Sequence, residues 1–178
     1  TLFIADSTVI HTPTSEELAD IAVQAANVAR HLGHIPRVGL LSFANFGNPT
    51  MKGTERIHEA IEILNKRKVD FEYDGEMSAD VALNKDLLKL YPFSGLSEPA
   101  NVLIMPGLHS ANIAAKLLGQ VGGGQVMGPV LTGFSKSVQI MPIGANVSEI
   151  LNYAMFAAYD AVPIKGKDTR KLSKISNK

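Results

Sequence analysis

The chain has 178 residues, 46% of them hydrophobic and 19% charged, enough for one sizeable soluble core. Lysines and arginines number 17 and aspartates and glutamates 17, so no net field points to nucleic acid or to a membrane surface. The absence of cysteine excludes disulfides, thiolate metal sites and a cysteine nucleophile. No apolar run approaches the roughly 20 residues of a membrane span, and Thr1 to Asp6 lack the basic start and long apolar stretch of a signal peptide. A cytoplasmic protein fits these features. The start at Thr1, inside what reads as a strand, fits a piece of a longer chain.

Leu2 to Ala5 reads as a short strand ending at Asp6. Thr14 with Glu17 forms a capping-box pattern, and Leu18, Ile21, Ala22, Ala25, Ala29 and Leu32 then recur at helical spacing up to Gly33, a natural stop. Val38 to Ser42 is a second strand, running into the turn-rich segment Phe43 to Pro49. Ile57, Ala60, Ile61 and Leu64 mark a second helix. A short strand at Phe71 to Tyr73 leads to Asp74-Gly75-Glu76, expected as a loop, and a third helix follows Ser78. Residues 91–100 hold Pro92, Gly95 and Pro99 and read as a loop.

Val102 to Met105 is an all-apolar strand stopped by Pro106-Gly107, followed by a helix around Ile113 to Leu118. Gly122-Gly123-Gly124 is a turn, and Val138 to Met141 is expected as the last strand. Asn146 with Glu149 is a second capping-box pattern. It opens a helix apolar almost all round, from Ile150 to Ala161, a pattern usual for burial in a core or at an interface. Residues 163–178 form a basic tail with Lys165, Lys167, Arg170, Lys171, Lys174 and Lys178, read as solvated, with docking on a partner subunit as the alternative.

Apolar strands alternating with amphipathic helices predict a mostly parallel sheet covered by helices on both faces, a three-layer α/β/α fold. Ligands in such folds sit beyond the carboxyl ends of the strands. The segments to inspect are therefore Ser42 to Pro49, Asp74 to Asp80, Pro106 to Asn112, Gly128 to Gly133 and Pro142 to Asn146. The histidines, His11, His31, His34, His58 and His109, show no metal-site spacing. His109 is expected in a post-strand loop, as an ordinary loop histidine or a ligand contact. Asp74, Glu76 and Asp80 read as acids at a helix start, with general acid or base work as the sharper alternative. Neither GxGxxG nor GxxxxGK[ST] is present. Gly144-Ala145-Asn146 stands at a helix start, where free amides can hold a phosphate.

Taken in order, several segments resemble the phosphotransacetylase family, in the form fused to the C-terminal end of bacterial NADP-dependent malic enzymes. They are Ala5-Asp6-Ser7-Thr8-Val9, Leu41-Ser42-Phe43-Ala44-Asn45-Phe46-Gly47, Asp74-Gly75-Glu76 with Asp80, Ala100 to Pro106 leading to Ala111-Asn112-Ile113, and Gly128 to Gly133. The likeness runs over residues 1–162. It implies the isocitrate/isopropylmalate dehydrogenase-like fold of phosphotransacetylases. It also implies a parent enzyme that oxidatively decarboxylates malate to pyruvate, with its NADP and divalent-metal sites in upstream domains of the same chain.

One departure bears on chemistry. Active relatives carry Ser-Arg-Gly before the last helix and then an acid, residues implicated in acyl transfer between CoA and phosphate. Here the aligned residues are Pro142-Ile143-Gly144, with Glu149 at the acid's position. Ile143 offers no guanidinium for phosphate and Pro142 neither a hydroxyl nor an amide N–H. The resemblance thus implies no catalytic residues but a regulatory domain that binds acetyl-CoA or a related CoA ester as allosteric effector, in a homo-oligomer. Carried over as ligand-binding positions are Ser42, Asn45, Gly47, Asn112, Lys116, Thr132, Lys136, Gly144 and Asn146. The alternatives are a phosphate acyltransferase with altered residues and a structural oligomerisation domain.

Overall fold

The computed structural model describes residues 1–49 and 54–161. The basic tail therefore lies outside the described residues. The chain divides into two compact units, Thr1–Val126 and the residues from Met127 onward.

The first unit is built on four strands: β1 (Phe3–Ala5), β2 (Arg37–Leu41), β3 (Glu72–Met77) and β4 (Val102–Ile104). They pair in the order β1-β4-β2-β3, all parallel. Parallel neighbours require crossover connections, and these carry α1 (Ser15–His31), α2 (Glu55–Arg67), and the short α3 (Ala79–Leu83) and α4 (Lys85–Leu88), while α5 (Leu108–Val121) follows β4. Strand side chains alternate between two cores. Val38, Leu40, Val102 and Ile104 pack with α1 and α2, through Leu18, Ala22, Ala26, Ile57, Ala60 and Leu64. Leu41, Leu103, Met105 and Met77 pack on the other face with Val81, Ala82, Leu88 and Ala111. This is the expected three-layer arrangement.

The helix signals act as the sequence reads. Thr14 Oγ1 accepts from Glu17 N at 3.2 Å, and Glu17 Oε2 accepts from Thr14 N at 2.8 Å, so both halves of the capping box form. These bonds hold the Glu17 carboxyl below its ordinary range. Gly33, at φ 83°, ends α1 in the left-handed region, where His34 N reaches back to Ala29 O.

Three expectations are corrected here. Asp74, Gly75 and Glu76 are not a loop: they lie inside β3, which pairs with β2 from Arg37↔Glu72 to Leu41↔Met77. Acids in a strand contradict the usual pattern, but these carboxylates find donors. Glu72 accepts from Ser97 N and Oγ, and Asp74 accepts from Gly95 N at 2.7 Å. The loop after α4 thereby covers the edge of β3. The helix after β4 starts at Leu108, earlier than expected, so His109 and Asn112 are helical. Its N-cap is Gly107 with no side-chain cap, so the sequence carries no capping signal there. The third helix is broken into α3 and α4, because Asn84 ends one and caps the next, accepting from Asp86 N.

The second unit holds α6 (Val147–Asp160), opened by the Asn146–Glu149 capping box. Val138 to Met141, expected as a strand, is irregular, with Val138, Ile140 and Met141 exposed. It pairs with no strand among the described residues, and a strand exists only through its partner's ladder. The segment before α6 is held by side chains instead: Gln139 accepts from Leu131 N at 3.0 Å, and Tyr153 Oη donates to Gly128 O. Burial pushes the Tyr153 phenol up from its ordinary value. In α6 only Tyr153 and Phe156 are buried, while Ile150, Leu151 and Met155 are exposed. The burial expected of an all-apolar helix is not met within the described chain.

Candidate functional site

Because the four strands are parallel, their carboxyl ends share one edge of the sheet. Three segments meet there in the first unit. After β1, the Asp6 carboxylate accepts from Thr8 N, Val9 N and Ile10 N at 2.7–3.0 Å, folding the loop back on itself. After β4, Leu108 N donates to His11 O, and the His11 and His109 rings stack edge-to-face with centroids 5.2 Å apart. Both histidines are exposed, and nothing in their sequence spacing announces the pair. Asn112, on α5, donates from Nδ2 to Ser7 O at 3.1 Å, tying α5 to the β1 loop.

The third segment is the glycine-containing loop after β2. Asn45 and Asn48 exchange two backbone hydrogen bonds of 3.0 Å, with Phe46 at φ 50° and Gly47 at φ 86° between them. Two central residues of positive φ mark a type I′ turn. Glycine takes that conformation freely, but Phe46 does not, at a cost of about 1–2 kcal/mol. The compensation comes from the end of β3. Phe46 N donates to Glu76 O at 2.8 Å, Gly47 N to Glu76 Oε1 at 3.0 Å, and Ser42 N to Met77 O at 2.9 Å. Asn45 Oδ1 accepts from Ser78 N and Oγ at 2.7 and 3.0 Å.

Glu76 is the centre of this arrangement. It is wholly buried, and β3 slips by one residue there, with Leu40 opposite Gly75 and Leu41 opposite Met77. That bulge re-aims its side chain toward the loop. His58 Nε2, on α2, stands 3.4 Å from Oε1, while Oε2 has no hydrogen-bond partner among the described residues. Sequence reading missed the pairing, since Glu76 lies 18 positions beyond His58 and on a different element. The one available signal was an acid in a strand-flanking DGE segment.

The positions expected to bind ligand are thus of two kinds. Ser42, Asn45 and Gly47 do come together at the carboxyl edge, but their polar groups serve the loop itself: Ser42 Oγ accepts from Ala44 N at 3.2 Å. Asn112 likewise spends its amide on Ser7. Lys116, on α5, is exposed. In the second unit Thr132, Lys136, Gly144 and Asn146 are exposed. Asn146 accepts from Glu149 N at 3.0 Å, and Glu149 Oε2 accepts from Asn146 N at 2.7 Å. Glu149 is therefore engaged as a helix cap, and Ile143 is fully solvent-exposed.

A groove of about 860 Å³ lies at the opposite, amino end of β2 and β3, lined by Arg30, His34, Asn65, Tyr73 and Phe93 among others. It contains none of the expected ligand positions. No group of three metal-ligating side chains occurs among the described residues, and no described helix is long and apolar enough to cross a membrane.

Residues 1–158 match the family described as phosphate acetyl/butaryl transferase. The chain belongs to that family. It is 53% identical to an NADP-dependent malic enzyme of Rhizobium meliloti over 161 residues, 90% of this chain but 21% of that protein. It is 34% identical to a phosphate acetyltransferase of Clostridium acetobutylicum, covering 90% of this chain and 49% of the relative. A phosphotransacetylase crystal structure from Streptococcus pyogenes superposes with a TM-score of 0.84 at 31% identity, over 88% of this chain and 48% of that one. The chain thus spans about a fifth of its malic-enzyme relatives, as their C-terminal phosphotransacetylase-like part, and about half of the phosphotransacetylases. The α/β/α expectation agrees with these neighbours.

Proposed function

We propose that this chain is a non-catalytic regulatory domain of an NADP-dependent malic enzyme, taking acetyl-CoA or a related CoA ester as allosteric effector. The observation that carries the reading is at the start of α6. The residues aligned with the family's Ser-Arg are Pro142 and Ile143, and the acid Glu149 closes a capping box with Asn146. Acyl transfer to phosphate needs donors aimed at the charge that develops, and losing one typically costs a factor of roughly a hundred to a thousand. A site without the arginine and the serine keeps room for a ligand but lacks the means to stabilise the transition state.

Identities of 53% and 48% to two malic enzymes, against 34–39% to phosphate acetyltransferases, support the same assignment. On this reading malate oxidation and decarboxylation, NADP and the divalent metal belong to upstream domains of the same polypeptide, and the protein works in the cytoplasm. The groups offered to CoA phosphates are Lys116 in the first unit and, separately, Thr132, Lys136 and the Gly144–Asn146 helix start in the second. An effector changes a distant reaction only by preferring one of two states. The exposed apolar face of α6, with Ile150, Leu151 and Met155, supplies a surface through which subunits of a homo-oligomer communicate those states.

A second reading, a phosphate acyltransferase, is favoured by the 34–39% identity to phosphate acetyltransferases. An acetyl-phosphate assay on the full-length protein separates the two. Turnover within roughly tenfold of an authentic phosphotransacetylase overturns the regulatory reading. Binding of acetyl-CoA without turnover supports it, and absence of binding leaves a structural assembly domain.

A further inference from the structure

We infer that Glu76 is the positioning residue for the glycine loop, and that the ligand-competent shape of the loop depends on the reach of this side chain rather than on its charge. The inference rests on the CoA-ester reading for its ligand half only.

Successive amides in a left-handed turn make a concave donor site that ordinarily attracts an anion. Here the two amides are those of Phe46 and Gly47, and both already donate to one residue of the chain. Phe46 N takes the backbone oxygen of Glu76 and Gly47 N takes its Oε1. Glu76 thus supplies from within the chain the acceptors that an external ligand would otherwise offer these amides. A buried carboxylate is costly unless its partners are fixed. The bulge in β3 delivers it to the loop. The three positions expected to touch ligand, Ser42, Asn45 and Gly47, are arranged by this contact, and the outward surface of the loop is formed by Phe43, Asn48 and Pro49, all exposed. Phe46 also stacks against Tyr91 and Phe93 with ring centroids 5.0 Å away, so displacing the turn would unseat an aromatic cluster.

Two substitutions separate reach from charge. Glu76→Asp keeps the charge but withdraws the oxygen from Gly47 N by about 1.5 Å, one C–C bond. Glu76→Gln loses the charge but keeps an acceptor at Oε1. The full-length protein is compared in both forms by amide hydrogen exchange of residues 43–48 without ligand, then by calorimetric titration with acetyl-CoA. Expected is exchange roughly tenfold or more faster in Glu76→Asp, with Glu76→Gln within about threefold of the parent. The acetyl-CoA affinity should fall in the same order, by roughly tenfold for Glu76→Asp. Asn45→Ala, which leaves the carboxylate in place and removes the acceptor of Ser78, should loosen the loop by an intermediate factor. If Glu76→Gln is the more damaging change, or if neither variant alters loop exchange, the inference is overturned. If the parent protein binds no acetyl-CoA, the CoA-ester reading fails, while the order of exchange rates still decides what Glu76 does to the loop.

Discussion

Adding one methyl group at Gly75 tests how the end of β3 is delivered to the loop. A Cβ there would meet Leu40 O at 2.7 Å and Leu40 Cβ at 2.8 Å, both on the paired strand β2. Backbone oxygen has no rotamer with which to retreat, so β2 and β3 must separate at the point where Glu76 leaves for the loop. Overpacking typically costs 1–3 kcal/mol, and a backbone clash belongs at the upper end, about 3 kcal/mol. With a urea slope of about 2 kcal/mol/M, the unfolding midpoint of Gly75→Ala should drop by roughly 1.5 M. Gly39→Ala is the internal control. Its Cβ would approach Ala100 Cβ at 3.3 Å, then Ala82 Cβ and Met77 Sδ at 3.5 Å, wider than the approach at Gly75 and with Met77 free to change rotamer. That change should cost less than about 1.5 kcal/mol. Equilibrium urea unfolding followed by circular dichroism reads both. Equal midpoints for Gly75→Ala and the parent would refute the register of β2 against β3 on which the placement of Glu76 depends.

Leu64→Ala, at a wholly buried position of α2, should destabilise by about 2–5 kcal/mol in the same assay. Thr14→Ala should cost about 1 kcal/mol through the lost cap of α1. The Thr14 bonds also depress the Glu17 carboxyl in the folded state, so the carboxylate half of the box is complete above its ordinary value of 4.5 and fades as pH falls through the lowered folded value, while the Thr14 Oγ1 half does not titrate. An NMR titration of Glu17 should therefore give a low pKa in the parent and only a partial rise in Thr14→Ala, which keeps the backbone N–H bond, the larger cause, and loses the hydroxyl bond. Leu151→Glu, on the exposed face of α6, should shift full-length protein toward smaller species in sedimentation and weaken any effect of acetyl-CoA on malate oxidation; unchanged assembly would remove α6 from the interface.

Much of the first unit was legible because its signals are local. The Thr14–Glu17 box, the apolar period of α1 and the stop at Gly33 each act within one turn of helix, and the continuous apolar strands Val38–Leu41 and Val102–Ile104 mark a sheet buried on both faces. The misses are non-local. Asp74 and Glu76 read as loop acids because their donors, Gly95 N and Gly47 N, lie 21 and 29 residues away. Val138–Met141 reads as a strand because composition alone cannot supply a partner edge. The loop segments at the carboxyl edge were legible, but not the contacts that their side chains make. The loop after β2 stands at the carboxyl edge as expected, yet Asn45 and Gly47 spend their polar groups on Ser78 and Glu76. Glu149, expected at the family's acid position, forms a helix cap. Its capping partner Asn146 was visible three residues before it, a local pattern that the structure reproduces in both directions.

The central claim, ligand binding without chemistry, is tested most directly by isothermal calorimetry of the full-length protein against acetyl-CoA, run beside an acetyl-phosphate assay. The account predicts micromolar binding, about −8 kcal/mol, with no measurable acetyl phosphate. Absence of binding at millimolar acetyl-CoA would contradict it, and so would turnover comparable to that of a phosphate acetyltransferase.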